Sequence, residues 1–257
     1  MMREELLKML VKGVDLTILD TCTSTNEIAR EKAVSGAPEF TTIIANEQSA
    51  GRGRMGRSFF SPGNTGLYLS MILRPHIKAD KALEITTAAA VAAARVIGRA
   101  TDTDVKIKWV NDIYSDMKKV CGILTEASVD AESGYLDYAV LGIGVNLFMP
   151  DGGFPEQIRD IASSVYKSGY DTNTKAKFTA ALINELMGIY PDIGGNRFVD
   201  EYKSLSLMPG RDIYILSGDE KIPAKALSIG NDYSLSVMLA DGSIRSLSSG
   251  DVSIKVI

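Results

Sequence analysis

Apolar residues recur along this chain in two periods, and the changes of period outline its elements. Arg3–Lys12 reads as a short amphipathic helix stopped by Gly13. Thr17–Thr21 reads as a strand and leads into Ser24, which with Glu27 forms a capping box and predicts a helix from Thr25 to Ser35. Thr41–Asn46 and Leu67–Leu73 are β-branched or alternating runs and predict strands. Between them, Glu47–Asn64 has no period, and a loop of that length in a compact domain is functional or disordered. Asp80–Ala100 is apolar on nearly every side, the pattern of a buried helix. Lys106–Trp109, Asp112–Tyr114, Val120–Ser128 and Tyr135–Leu147 predict strands, the last two joined by a polar turn around Asp130–Gly134. Helices are predicted over Pro155–Lys167, Thr174–Tyr190 and Asn196–Leu205.

The pattern changes at Pro209-Gly210. Short strands follow at regular spacing: Asp212–Leu216, Ile222–Ile229, Leu235–Leu239, Ile244–Leu247 and Val252–Val256. Turn sequences separate them: Ser217-Gly218-Asp219, Gly230-Asn231-Asp232 and Asp241-Gly242-Ser243. The expectation is an α+β domain over residues 1–208, a mixed sheet with helices, and a small SH3-like β-barrel over 209–257.

Composition narrows the chemistry. The 257 residues are 45% apolar and 23% charged, ordinary for a globular protein, with a net charge of −4. Broad attraction to nucleic acid or an anionic membrane is therefore not expected, and any anion site must be local. Cys22 and Cys121 have no ligand-spaced partner, which suits free thiols in a reducing compartment. The one histidine, His76, follows Arg74-Pro75 in an expected exposed turn. Ser-His-Asp catalysis there is not expected, and a multi-histidine metal site is excluded. No apolar run is long enough to span a membrane and no secretory signal opens the chain, so a cytoplasmic location is expected.

Four motifs carry chemistry. In Gly51-Arg52-Gly53-Arg54-Met55-Gly56-Arg57, three arginines alternate with glycines. Glycine lets backbone approach a ligand and arginine offers a fork for phosphate or carboxylate. A small-anion site, a solvated loop and an RGG-like nucleic-acid patch all fit this motif alone. Lys108-Trp109-Val110-Asn111-Asp112 precedes a turn and Lys118-Lys119-Val120-Cys121-Gly122. Across such a hairpin Lys119 can lie near Asn111 and Asp112, where Asp112 could hold Mg²⁺ or a ligand N–H; turn chemistry and a solvated hairpin tip are the other reading. Gly142-Ile143-Gly144-Val145-Asn146 ends an apolar strand and marks a close backbone approach or a bulge. Ser24-Thr25-Asn26 caps a helix whose N-terminus could also meet a polar ligand head.

The order and spacing of these motifs, with Glu47-Gln48-Ser49-Ala50 ahead of the arginine loop and Ser61-Pro62 and Leu67-Tyr68-Leu69-Ser70 after it, resemble the biotin–protein ligase family over essentially the whole chain. The resemblance implies a biotin/lipoate-ligase-like catalytic domain with an SH3-like barrel behind it. It implies a ligase that converts biotin and ATP to biotinyl-5′-AMP and transfers biotin to a lysine of a biotin carboxyl carrier domain, with Mg²⁺ as the metal. By motif position, Ser24, Thr25, Asn26 and Gln48 would bind the ureido end of biotin, with Gly122 and Gly142 close by. Arg52, Gly53 and Arg54 would hold the acyl-adenylate, and Lys119 would reach the biotin carboxylate and the α-phosphate. Arg54 and Lys119 are the expected catalytic residues. Arg57, Lys108, Asn111, Asp112 and Asn146 would join Arg54 and Lys119 in serving the nucleotide, with Asp112 toward Mg²⁺.

Two residues depart from the family pattern: Val110 stands where proline is usual, and Phe59 where tryptophan often follows the loop. Val110 restores an N–H and is expected to loosen the turn before Asn111, whereas Phe59 keeps an apolar wall without an indole donor. Only about a dozen residues precede the first catalytic strand, so a form without a DNA-binding domain is expected. The resemblance also allows a homodimer through a sheet edge. The alternatives are a lipoate or octanoate ligase on the same fold and a non-catalytic nucleic-acid binder.

Overall fold

The computed structural model describes residues 2–101, 103–167, 169–217, 220–248 and 253–256. Helix α1 (Met2–Met9) leads to β1 (Asp15–Cys22), α2 (Thr25–Val34) and β2 (Thr41–Gln48). Then follow β3 (Gly66–Leu73), α3 (Ala82–Thr101), β4 (Val105–Lys108), β5 (Asp112–Ser115), β6 (Lys118–Val129) and β7 (Leu136–Asn146). Helices α4 (Thr172–Ile189) and α5 (Val199–Leu205) precede β8 (Asp212–Ser217), β9 (Glu220–Ile229), β10 (Leu235–Leu239), β11 (Ile244–Leu247) and β12 (Ser253–Val256).

The first seven strands form one sheet in the order β1-β2-β3-β7-β6-β5-β4, with only β1–β2 parallel. β3 and β7 sit at its centre, and every residue of β3 is buried. The period-two pattern of Leu67–Leu73 therefore marks two covered faces rather than one wet and one dry. Helix α3 covers one face through a run of alanines and branched residues from Ile85 to Ile97, and small side chains let the helix lie close to the sheet. Helix α2 covers part of the other face, packing Ala29 and Ala33 on Ile43, Ile72 and Val140.

The C-terminal strands form a five-stranded antiparallel sheet, β11-β10-β9-β8-β12, in line with the expected SH3-like module. The predicted turn at Gly218-Asp219 and the predicted strand start at Val252 lie outside the described residues. Ile213, Ile215, Ala226, Tyr233, Leu235 and Val237 of this part belong to the same apolar core as α3 and β6.

Three expectations need correction. Pro155–Lys167 is a chain of turns, not a helix. Its backbone is claimed by the large sheet: Lys119 N–H donates to Ile161 O, Ser163 N–H to Lys119 O, and Val165 N–H to Asn146 O at 2.7–2.9 Å. Those bonds interrupt the i→i−4 ladder a helix requires, leaving isolated turns such as Arg159 N–H to Pro155 O and Ala162 N–H to Ile158 O. The capping box at Ser24 does not form, because Ser24 makes no side-chain cap and Thr23 Oγ1 instead donates to Glu27 Oε2 at 2.8 Å. Helix α5 begins at Val199, three residues after the predicted start, since Gly194 and Asn196 adopt positive φ ahead of it. Among the described residues no helix is long and apolar enough to cross a membrane.

Candidate functional site

The arginine loop is built rather than structureless. Phe59 N–H donates to Gly51 O at 2.8 Å and Gly53 N–H to Arg57 O at 2.7 Å, with a bridge between Arg52 and Ser58. A 3-10 turn, Arg54–Gly56, forms the tip, and Met55 there is exposed. Gly51 is where the loop closes on its own base. A Cβ there would sit 2.5 Å from both Phe59 O and Ser61 Oγ, so no larger residue fits without moving backbone.

The loop leans over a cavity of about 150 Å³ whose lining comes from α2, β2 and strands β3 to β7. Ser24, Thr25, Asn26, Gln48, Arg52, Gly53, Arg54, Arg57, Lys108, Asn111, Asp112, Lys119, Gly122 and Gly142 all line it, uniting residues from three of the sequence motifs and the arginine loop. Asn146 stands apart: it ends β7, outside the cavity lining, and donates Nδ2 to Ser163 O at 3.1 Å.

At the polar end, Gln48 Oε1 accepts from Thr25 N–H at 2.8 Å and from the Thr25 hydroxyl at 3.1 Å, while Gln48 Nε2 donates to Ser61 Oγ at 3.0 Å. The Gly142 backbone lies so close to Asn26 Oδ1 that a Cβ would overlap it. The side wall is apolar. Phe59 packs its ring against Gly144, where a Cβ would lie 2.6 Å from the ring, and meets Tyr68 edge-on at 6.4 Å. The apolar wall expected of Phe59 is thus present.

At the charged end, Lys119 Nζ lies 2.6 Å from Asp112 Oδ1. The β5–β6 turn achieves this with Asp116 and Met117 at φ 50° and 59°, the geometry of a type I′ hairpin that brings Lys119 alongside Asp112. Arg54 Nη1 donates to Asn111 Oδ1 at 3.2 Å, and Asn111 Nδ2 donates to Ile123 O at 2.7 Å. Burial pulls the Arg54 guanidinium below its ordinary pKa, with Asp112 opposing that shift. Val110 is fully buried and its peptide bond with Trp109 is cis. The turn is not loose: Val110 O accepts from Tyr202 OH at 3.0 Å and Trp109 Nε1 donates to Tyr233 O at 2.7 Å.

Sequence reasoning missed Glu126 and Ser70, which lie behind the lining and touch Asn26. Ser70 stood in the Leu67–Ser70 motif of the resemblance without a role, and Glu126 only in the polar positions of β6, which do not say which of them nears a site. No three His, Cys, Asp or Glu side chains converge among the described residues. Mg²⁺ carried by nucleotide phosphates needs only one or two protein carboxylates, and Asp112 beside Asn111 fits that demand.

Residues 19–146 match the Biotin/lipoate A/B protein ligase family. The bifunctional ligase/repressor BirA of Bacillus subtilis (strain 168) is 41% identical over 159 residues, covering 62% of this chain and 48% of that protein. BirA of Escherichia coli (strain K12) is 28% identical over 254 residues, covering 95% of this chain and 75% of the relative. The chain thus spans about half the length of the Bacillus relatives in its match to them. The structure of the Aquifex aeolicus biotin protein ligase in complex with biotin and ATP superposes with a TM-score of 0.76 at 24% identity, covering 95% of this chain and 99% of that one.

Proposed function

From the membership of this chain, through residues 19–146, in the biotin/lipoate A/B protein ligase family, we propose that it is an ATP-dependent biotin–protein ligase. The observation that carries the reading is the single cavity with a polar end, an apolar wall and a cationic end. A ureido ring, a valeryl chain and a nucleotide phosphate ask for those three surfaces in that order.

Adenylation joins two anions: a biotin carboxylate oxygen attacks the α-phosphorus of ATP and pyrophosphate leaves. The barrier lies in bringing like charges together, so positioning and charge neutralisation matter more than a proton-transfer residue. Lys119 is suited to bridge the carboxylate and the α-phosphate, exchanging its present partner Asp112 for them. Arg52, Gly53 and Arg54 hold the acyl-phosphate, and Arg57, Lys108, Asn111 and Asp112 serve the nucleotide. Mg²⁺ at Asp112 would neutralise phosphate charge when bound. Asn146, outside the cavity lining, would serve the nucleotide only from beyond it, and its side chain holds Ser163 O. In the second step a carrier lysine amine attacks the acyl carbon and AMP leaves. The arginine loop covers the adenylate between the steps and keeps water from it.

The carrier is a biotin carboxyl carrier domain, and the division into a catalytic part to residue 208 and a β module from 209 is part of this reading. A lipoate ligase is the second reading on this fold. The polar end disfavours it, because a dithiolane has nothing to offer Thr25, Asn26 and Gln48. Incubation with ATP, Mg²⁺, biotin and a carrier domain should add one biotinyl group to the carrier by mass. Modification with lipoate and none with biotin would reverse the choice.

A further inference from the structure

Residues 109–111 join β4 to β5 and are held from behind by a helix that adds nothing to the cavity lining. Trp109 and Asn111 line the cavity, whereas Val110 between them does not and is 1% exposed. The Val110 carbonyl accepts from the hydroxyl of Tyr202, on α5, at 3.0 Å. Among the described residues no backbone N–H takes this carbonyl, so the hydroxyl supplies the hydrogen bond that a buried oxygen requires. Tyr202 itself has no exposed surface.

Helix α5 is anchored on two sides. Arg95 of α3 donates to both carboxylate oxygens of Glu201, and just beyond α5 the Leu207 N–H donates to Ile107 O at 3.0 Å, on the strand that leads into the loop. What the Tyr202 hydroxyl holds is the peptide between Val110 and Asn111. In a trans peptide the carbonyl and the following N–H point opposite ways, so fixing the carbonyl fixes the plane and turns the Asn111 N–H away from α5. Asn111 is thereby placed for its further bonds: its carbonyl accepts Ile123 N–H at 3.0 Å, its Nδ2 donates to Ile123 O at 2.7 Å, and its Oδ1 accepts from Arg54 Nη1 at 3.2 Å. A line of bonds thus runs from α5 through Asn111 to the tip of the arginine loop. Tyr233, edge-on to the Tyr202 ring at 5.5 Å, meets residues 109–111 differently, because its main-chain carbonyl takes the Trp109 indole N–H.

The geometry points to Tyr202 as a positioning residue for the nucleotide end: its hydroxyl, through the Val110 carbonyl, sets where Asn111 stands and so where Arg54 is tied. Without the hydroxyl a buried carbonyl loses its donor, and the 110–111 peptide regains one by turning toward solvent in the cavity, taking Asn111 with it. Asn111 belongs to the end that serves ATP. The polar end, at Thr25 and Gln48, is reached by none of these bonds, so the loss falls on the nucleotide and not on the ureido ring. This deepens the ligase reading and rests on it.

The test follows biotin-dependent ATP–pyrophosphate exchange by the full chain and by Tyr202→Phe, Tyr233→Phe and Tyr202→4-aminophenylalanine. Tyr202→Phe should raise KM for ATP about tenfold, with kcat lowered by no more than about threefold and KM for biotin within about twofold of the unaltered chain. Tyr233→Phe keeps the carbonyl that holds Trp109 and should move KM for ATP by less than about twofold. The aminophenyl side chain keeps a donor at the same place and should bring KM for ATP back to within about threefold. Tyr202→Phe combined with Asn111→Ala should match Asn111→Ala alone to within about twofold, because Tyr202 acts through Asn111. A KM for ATP within about twofold of the unaltered chain in Tyr202→Phe, equal rises for ATP and biotin, equal rises in the two phenylalanine variants, or additive effects with Asn111→Ala overturn the role of Tyr202 while the ligase reading stands. A rise of about tenfold with 4-aminophenylalanine overturns it too, including where Tyr202→Phe does not fold. Absence of biotin-dependent exchange in the unaltered chain sinks the ligase reading itself.

Discussion

Lys119 and Lys175 are both held in place, one by a charge and one by its absence. Lys119 has Asp112 at 2.6 Å, a partner it can exchange for ligand anions. Lys119→Ala removes the group placed to bridge carboxylate and phosphate. Biotin-dependent ATP–pyrophosphate exchange should fall by about 10³-fold while the melting temperature changes little. Near-normal exchange would show that Lys119 does not act there. Lys175 on α4 is 1% exposed, with Asn46 Oδ1 at 3.2 Å and the Tyr170 ring at 5.9 Å. Desolvation lowers its pKa from 10.5 to about 8. The unfolded chain therefore binds more protons than the native one between these values, so stability rises with pH across that window and the gain is lost as pH falls to about 8. Urea unfolding should show Lys175→Met more stable at pH 7 by on the order of 3 kcal/mol, with the advantage shrinking toward pH 10. A pH-independent difference would rule out this account. The sequence showed Lys175 only as a lysine in a helical stretch, whereas Lys119 stood out through its spacing from Asn111 and Asp112.

The arginine loop shows how much an element can carry that periodicity cannot reveal. Its seven-residue motif alone fitted an anion site, a solvated loop or a nucleic-acid patch, and its closed form depends on Gly51 packing against Phe59 O and Ser61 Oγ, which the motif does not contain. Arg54 ties the loop to β5 through Asn111. In Arg54→Gly the tie is lost, and adenylate should escape into solution before transfer, giving biotinylation of bystander lysines. Labelling confined to the carrier would contradict a retaining role for Arg54. The segment 155–167 is the reverse case. Its apolar spacing suited a helix, but pairing with Lys119 and Asn146 outcompeted local propensity. Strands with strong alternation or β-branched runs were legible, because each face or the whole run is buried in the sheet. The capping box failed because Ser24 lies buried in the cavity lining, its side chain facing ligand space rather than the helix.

Across the whole molecule, the change of pattern at Pro209-Gly210 coincides with a change of architecture, from the seven-stranded sheet with its helices to the C-terminal antiparallel sheet. The C-terminal sheet shares the main core, and Tyr233 stacks edge-on to Tyr202 at 5.5 Å. Tyr233 O also receives the indole N–H of Trp109, a residue of the cavity lining. A chain ending at residue 208 should therefore lack a cooperative thermal transition, and Trp109→Phe should lose about 1 kcal/mol of stability by urea unfolding. A truncated chain that melts cooperatively would make the two parts separable. The link between Trp109 and Tyr233 also sets a clock for synthesis. The two residues are 124 apart in sequence, so at 5–20 residues per second the cavity wall waits about 6–25 s for its support. During that interval the emerging chain holds the arginine loop and the Lys119 hairpin, but not the strut behind Trp109 that fixes the wall between them.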